Sequence, residues 1–137
     1  MPSLATELRA LGLRDEQIAR CTYRGKPITE EAEKPRSRFR SKTEAAYSFQ
    51  LDWELKEGTI ARYEYESLKF RLADGAWFTP DFAVWMPDGR LELREIKGGG
   101  FVREAARIRF LVAKRLYPEF GWRMITREKH SGWIDIL

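Results

Sequence analysis

The segment Met86-Pro87-Asp88-Gly89-Arg90 constrains this chain more than any other, because it fixes where two strands meet. Pro87 suits the second position of a type I turn, and Gly89 suits the left-handed position after it, which gives a three-residue hairpin loop with a bulge. With that turn Met86 pairs with Arg90, Trp85 faces Leu91, Ala83 faces Leu93 and Asp81 faces Glu95. A two-residue Asp-Gly turn would instead set Asp81 opposite Ile96, so the turn type decides whether two acids meet. Along the second strand Leu91, Leu93, Glu95 and Lys97 share one side. Opposed carboxylates repel, and charges on a covered face must be paired or bound. A divalent cation held by hard oxygen ligands, Mg²⁺ or Mn²⁺, resolves that conflict.

Around this hairpin the pattern predicts a helix over 41–57 stopped by Gly58, a strand over 60–72, a turn at Gly75, and hairpin strands over 77–86 and 90–97. A helix over 102–116 ending near Pro118 and a strand over 122–127 follow, with an apolar tail at 133–137. The order α-β-β-β-α-β argues for an α/β domain whose mixed sheet has a three-strand meander and a fourth strand delivered by a helical crossover. Ahead of it, residues 1–33 read as a short helical extension: Leu4, Leu8 and Leu11 line one helix face stopped by Gly12, and a second helix covers Asp15 to Arg20. Residues 34–42 form a basic arm, and the main domain occupies 41–137.

At 137 residues the chain is long enough for one core without staples. One cysteine and one histidine, Cys21 and His130, exclude a disulfide framework and a Cys/His zinc cluster, and leave little room for a nucleophile-histidine system. Any catalysis must then rest on carboxylates, lysine and an oxygen-bound metal. Mean hydropathy of -0.54 and the lack of an apolar run near the roughly 18 residues that span a bilayer lead us to expect a protein of the cytoplasm without a membrane partner. The net charge of +4 is mild but unevenly placed. The arm carries Lys34, Arg36, Arg38, Arg40 and Lys42 with no acid between them, which suits a polyanion or a solvated linker.

Two helical residues complete the set of candidates. Glu44 heads the stripe Tyr47, Leu51 and Leu55 that faces the sheet, although Ser41-Lys42-Thr43-Glu44 also reads as a capping box. Arg109 shares an arc with Val102, Ala105, Val112, Ala113 and Leu116, where a guanidinium needs a carboxylate or phosphate unless it snorkels along the sheet edge. Tyr63-Glu64-Tyr65-Glu66 could bring a further acid to the site or mark an edge strand with one wet face.

A helix bearing Glu44, then Pro80-Asp81, 13 intervening residues and Glu95-Ile96-Lys97, resembles the PD-(D/E)xK nuclease superfamily over residues 41–127. Within it, the small size and the Ser-Lys-Thr-Glu opening are similar to phage nucleases and archaeal-type Holliday junction resolvases. Some of those carry a basic residue beside the first glutamate, whereas Thr43 and Ala45 flank it here. The resemblance implies a restriction-endonuclease-like core and a Mg²⁺- or Mn²⁺-dependent endodeoxyribonuclease. Glu44, Asp81, Glu95 and the Ile96 carbonyl would hold the metal, and Lys97 would orient or activate the attacking water. Gly98 and Gly99 would admit the DNA backbone near the next helix, with Arg103 and Arg109 joining the basic arm on phosphates. It further implies a homodimer on four-way junctions in recombination and repair, with the tail 133–137 offering apolar surface to a partner. Cleavage of linear, flapped or mismatched DNA, or a DNA-binding protein that keeps the fold without activity, are the alternatives.

Overall fold

Pro87 and Gly89 take the positions their chemistry favours. Gly89 adopts φ 93°, its amide donates to the Met86 carbonyl at 3.0 Å, and the Met86 amide donates to the Arg90 carbonyl at 2.8 Å. The computed structural model describes residues 3–29, 39–98, 102–130 and 132–137, so the predicted DNA contacts Lys34, Arg36, Arg38 and Gly99 lie outside the described residues. Among the described residues there are four helices and nine strands in two sheets, a mixed α/β architecture. No helix among them is long and apolar enough to cross a membrane.

The N-terminal segment contributes α1 (Leu4–Ala10), α2 (Asp15–Ala19), β1 (Cys21–Tyr23) and β2 (Lys26–Pro27). It is therefore not wholly helical as expected. Then come α3 (Lys42–Glu57), β3 (Arg62–Tyr65), β4 (Leu68–Ala73), β5 (Ala76–Phe78), β6 (Phe82–Trp85), β7 (Leu91–Lys97), α4 (Glu104–Leu116), β8 (Gly121–Glu128) and β9 (Gly132–Asp135).

The main sheet runs β3-β6-β7-β8-β9, with β7 and β8 parallel and the other pairs antiparallel. A parallel pair needs a crossover, which α4 supplies. The hairpin register sets Trp85 against Leu91, Ala83 against Leu93 and Phe82 against Arg94, so the three-residue turn prevails over the two-residue one. Period-two alternation then splits the sheet's faces. Ala83, Trp85, Leu91 and Leu93 pack with Phe110 and Ala113 of α4, whereas Phe82, Val84, Ile96 and Ile125 pack with Tyr47 and Leu51 of α3.

A second, antiparallel sheet runs β2-β1-β4-β5 and adds Cys21, Leu68, Phe70 and Phe78 to the α4 side of the core, beside Leu8 and Ile18. This corrects two sequence expectations. The single strand over 60–72 breaks at Glu66, whose φ of 45° is left-handed, so that β3 and β4 join different sheets. The strand over 77–86 breaks in the same way at Thr79-Pro80, since Pro80 has no amide hydrogen to donate to a ladder.

α4 is also rotated from the expected arc. Phe110, Ala113 and the adjoining Tyr117 are buried, Val112 and Leu116 are 37% and 40% exposed, and Arg109 is exposed. Two aromatic rings bury more area than the aliphatic residues they displace. The apolar tail is engaged within the chain: β9 pairs with β8, Trp133 meets Tyr47 edge-on at 4.9 Å between centroids, and Ile136 and Leu137 pack on the core.

Arg94 fixes α3 to the sheet. It is 1% exposed, yet its guanidinium donates to the Tyr47 hydroxyl at 3.0 Å, to Glu54 at 3.2 Å and to Glu92 at 2.9 Å. A buried charge with several partners is costly to break from one side. Arg94→Ala should therefore lower unfolding free energy by on the order of 3–5 kcal/mol in urea denaturation, through a Glu54 carboxylate left without its ion pair and a Glu92 left with Arg123 at 3.6 Å.

Candidate metal centre

The turn determines what happens at the other end of the hairpin. Continuing the register by one residue from Phe82 opposite Arg94 brings Asp81 to Glu95, and the Asp81 amide donates to Glu95 Oε1 at 3.1 Å. Asp81 Oδ2 in turn accepts from the Ile96 amide at 2.7 Å. Lys97, two residues beyond Glu95 on the same side of β7, places Nζ 3.0 Å from Glu95 Oε2. Ile96 thus enters the site through its N–H, and it pairs with Ile125 in the parallel ladder.

α3 delivers the next acid from its first turn. Ser41 caps the helix by accepting from the Glu44 amide at 3.1 Å, and its hydroxyl donates to Glu44 Oε2 at 2.6 Å. The return bond is therefore carboxylate to hydroxyl, where a capping box would use the Ser41 amide. The other oxygen, Oε1, accepts from the Tyr65 hydroxyl at 2.5 Å, and Tyr65 itself accepts from the Arg40 amide at 2.9 Å. Burial pushes the Tyr65 phenol up first, and its bond to Glu44 adds to this, so it keeps its proton and acts as a donor.

A fourth acid comes from the Tyr63-Glu64-Tyr65-Glu66 stretch, where the sequence left open whether either glutamate would reach the site. Glu66 follows β3 in the left-handed conformation, and its amide donates to the Asp81 carbonyl at 2.8 Å. Single carboxylate oxygens of Glu44, Glu66 and Asp81 all lie within 4.8 Å of one another. Glu95 stands beside this group through its bond to Asp81, with Lys97 behind it. The Tyr-Glu alternation over 63–66 hinted at an acid here, but Glu64 is drawn away to Tyr23 at 2.9 Å and to Arg24 at 3.9 Å. Only a left-handed non-glycine residue, which sequence does not announce, brings Glu66 round.

The remaining expected contacts are spread more widely. Arg40 places Nε 3.2 Å from Glu66, so this member of the basic arm reaches the acids directly. Lys42 is exposed at the start of α3, and Arg103 is the exposed N-cap residue of α4. Gly98 has a steric reason to be glycine: a Cβ there would come within 3.2 Å of Thr43 Oγ1, next to Glu44. Cys21 is buried and bonded to the Gln17 carbonyl at 3.3 Å, and burial pushes its thiol up to about 12, which removes it as a nucleophile.

Four carboxyl groups face the two cations Arg40 and Lys97. The Asp81 carboxyl is pushed up to about 9, by burial first and then by Glu95, against the opposing bond from the Ile96 amide. Glu66 is also raised, by burial first, with Arg40 opposing and Glu44 and Glu95 adding to it. Such a site holds protons unless a cation replaces them. The donor set is all oxygen and close-set, which fits Mg²⁺ or Mn²⁺ and not a soft metal. Glu44, Glu66 and Asp81 would hold the ion, with Glu95 next in reach. Comparison of the chain with family models, with curated proteins and with solved structures gives no match.

The shift at Asp81 has a definite sign in stability. With a folded value near 9 and an ordinary value of 3.8, the folded protein binds the extra proton between those pH values, so stability falls as pH rises through the window. Asp81→Asn should flatten that decline and exceed the wild type in thermal stability at pH 8 by about 1 kcal/mol or more. Added Mn²⁺ should raise the melting temperature of the wild type and leave Asp81→Asn nearly unmoved, a difference read by calorimetry without any substrate.

Proposed function

We propose that this chain is a metal-dependent endodeoxyribonuclease of restriction-endonuclease-like architecture that hydrolyses phosphodiesters in branched DNA of the cytoplasm. The observation that carries this reading is the convergence of the Glu44, Glu66 and Asp81 carboxylates within 4.8 Å, beside the Glu95–Lys97 pair. The sequence of α3, the β6–β7 hairpin, the α4 crossover and β8 supports the architectural part.

Bound among those acids, a divalent cation would supply Lewis acidity and neutralise charge that builds on the phosphate. The protein's residues supply the rest. Asp81 is held by the Ile96 amide, and Glu44 is oriented by the Ser41 and Tyr65 hydroxyls, so both acids are fixed before substrate arrives. Lys97 carries an ammonium held on Glu95, placed to orient water and to meet negative charge on a non-bridging oxygen. Arg103, Arg107, Arg109 and Lys114 give α4 an exposed basic character that suits the phosphates flanking a cut.

One observation favours the non-catalytic alternative. Both oxygens of Glu44 are occupied by hydroxyls, and Arg40 sits on Glu66, so part of the cluster is already satisfied by protein donors. A DNA-binding protein would need no more than this.

Four-way junctions and sequence-matched duplexes incubated with the protein in Mg²⁺ or Mn²⁺ separate these readings. We expect metal-dependent cleavage of the junction, abolished by chelation and reduced roughly 10²-fold or more in Asp81→Asn and in Lys97→Ala. Equal cleavage of junction and duplex would move the substrate to linear DNA. Intact DNA at protein excess, with salt-sensitive binding that ignores metal, would leave the binding protein and end the nuclease reading.

A further inference from the structure

We infer that Phe39-Arg40 is an autoinhibitory strap on the acid cluster, in which the Arg40 guanidinium stands in for the divalent ion until the metal displaces it. Arg40 reaches two of the three clustered acids, Glu66 directly and Glu44 through Tyr65. Its Nε lies 3.2 Å from Glu66 Oε1, and its amide donates at 2.9 Å to the Tyr65 hydroxyl, which itself donates to Glu44 Oε1. Phe39 supplies the anchor. Partly buried against the α3 side of the core, it meets Tyr65 edge-on at 4.9 Å between ring centroids and lies 6.0 Å from Phe82. Ser41, the next residue, caps α3, so the chain is held on both sides of Arg40. The Arg40 side chain is nevertheless 80% exposed.

An ion held among Glu44, Glu66 and Asp81 would share the Glu66 carboxylate with that guanidinium, and two cations on one carboxylate repel. The protein contact is the one that yields. An exposed ion pair contributes little, because water and salt screen it, and the Arg40 side chain turns into solvent without any unfolding. A divalent ion draws on three carboxylates where the guanidinium pairs with one. The neighbouring lysines are placed differently: Lys97 lies 3.0 Å from Glu95, and Lys42 is exposed at the start of α3.

The competition rests on the metal centre described above, and its consequence for DNA rests on the nuclease reading. A guanidinium freed from Glu66 presents a planar fork suited to phosphate, at the end of an arm that already carries Lys34, Arg36 and Arg38. Metal loading therefore turns Arg40 from the acids toward the substrate. The metal-free protein keeps its acids partly paired, and the loaded protein gains a phosphate contact beside the metal. The satisfied carboxylates that favour a simple binding protein are, on this account, the resting state of the site.

Isothermal titration of the full chain with Mn²⁺ alone, near neutral pH and without DNA, tests the strap independently of catalysis. Arg40→Gln should bind Mn²⁺ more tightly than the wild type by about threefold or more. Phe39→Ala keeps every charge and removes only the anchor, so it should also tighten binding, whereas an effect of charge alone would leave it unmoved. Phe39→Leu keeps apolar bulk without the ring contact and replaces the alanine variant if that chain does not fold. Thermal melts close the cycle. Arg40→Gln should melt below the wild type without metal and level with it at saturating Mn²⁺, where the guanidinium no longer touches the acids. Unchanged or weaker binding in Arg40→Gln, wild-type affinity in the Phe39 variant, or a melting difference that persists at saturation would overturn the strap and leave the metal centre standing. No Mn²⁺ binding by any of these chains would instead end the metal centre, and the strap with it.

Discussion

The register of one hairpin carries the rest of the site. Pro87 and Gly89 close a three-residue loop, and every pairing along β6 and β7 follows from it, up to the bond between the Asp81 amide and Glu95. Side chains in a sheet alternate with a period of two, so a shift of one residue would have sent Leu91, Leu93, Glu95 and Lys97 to the α3 side and turned Arg94 toward the α4 core, away from Tyr47 and Glu54. The same alternation that aligns Leu91 and Leu93 on the core sets Glu95 and Lys97 beyond its edge.

Around that register the molecule concentrates charge in two places and treats each differently. Arg94 is enclosed, and Tyr47, Glu54 and Glu92 satisfy it completely enough for it to lie under α3. At the sheet's end Glu44, Glu66, Asp81 and Glu95 gather with fewer cations than acids, and burial first, with the neighbouring acids adding to it, makes Asp81 and Glu66 retain protons more firmly. The first arrangement is a closed network that holds a helix in place. The second is an electrostatic imbalance, the property expected of a place that binds something positive.

Local rules failed where the chain changes sheets. The strands over 60–72 and 77–86 look continuous because their alternation is continuous, yet Glu66 turns left-handed and Pro80 interrupts the ladder, sending each half to a different sheet. Glu66 reaches the acids because of that break, so its role was hidden for the same reason. The helical wheel likewise placed Arg109 inward with Val112 and Leu116, whereas Phe110 and Tyr117 won the core by their larger rings. Residues 21–27 read as a helical extension's end and instead form β1 and β2, of which β1 pairs with β4, a partner some 45 residues away in the chain that no local pattern names.

By itself the sequence determined the hairpin, the capped start of α3 at Ser41 and the α4 crossover, and it narrowed the turn to two types, of which the three-residue one brings Asp81 to Glu95. All of these follow from nearest-neighbour chemistry: a proline and a glycine at fixed turn positions, a serine ahead of a helix, a period of two or of 3.6. Only the tertiary structure decided that Glu66 joins Glu44 and Asp81, that Tyr65 and Arg40 hold those acids in place, and that Phe49 and Trp53 remain outside. Those outcomes depend on which distant surfaces compete for burial, and the energies that settle the competition arise between segments far apart in the chain.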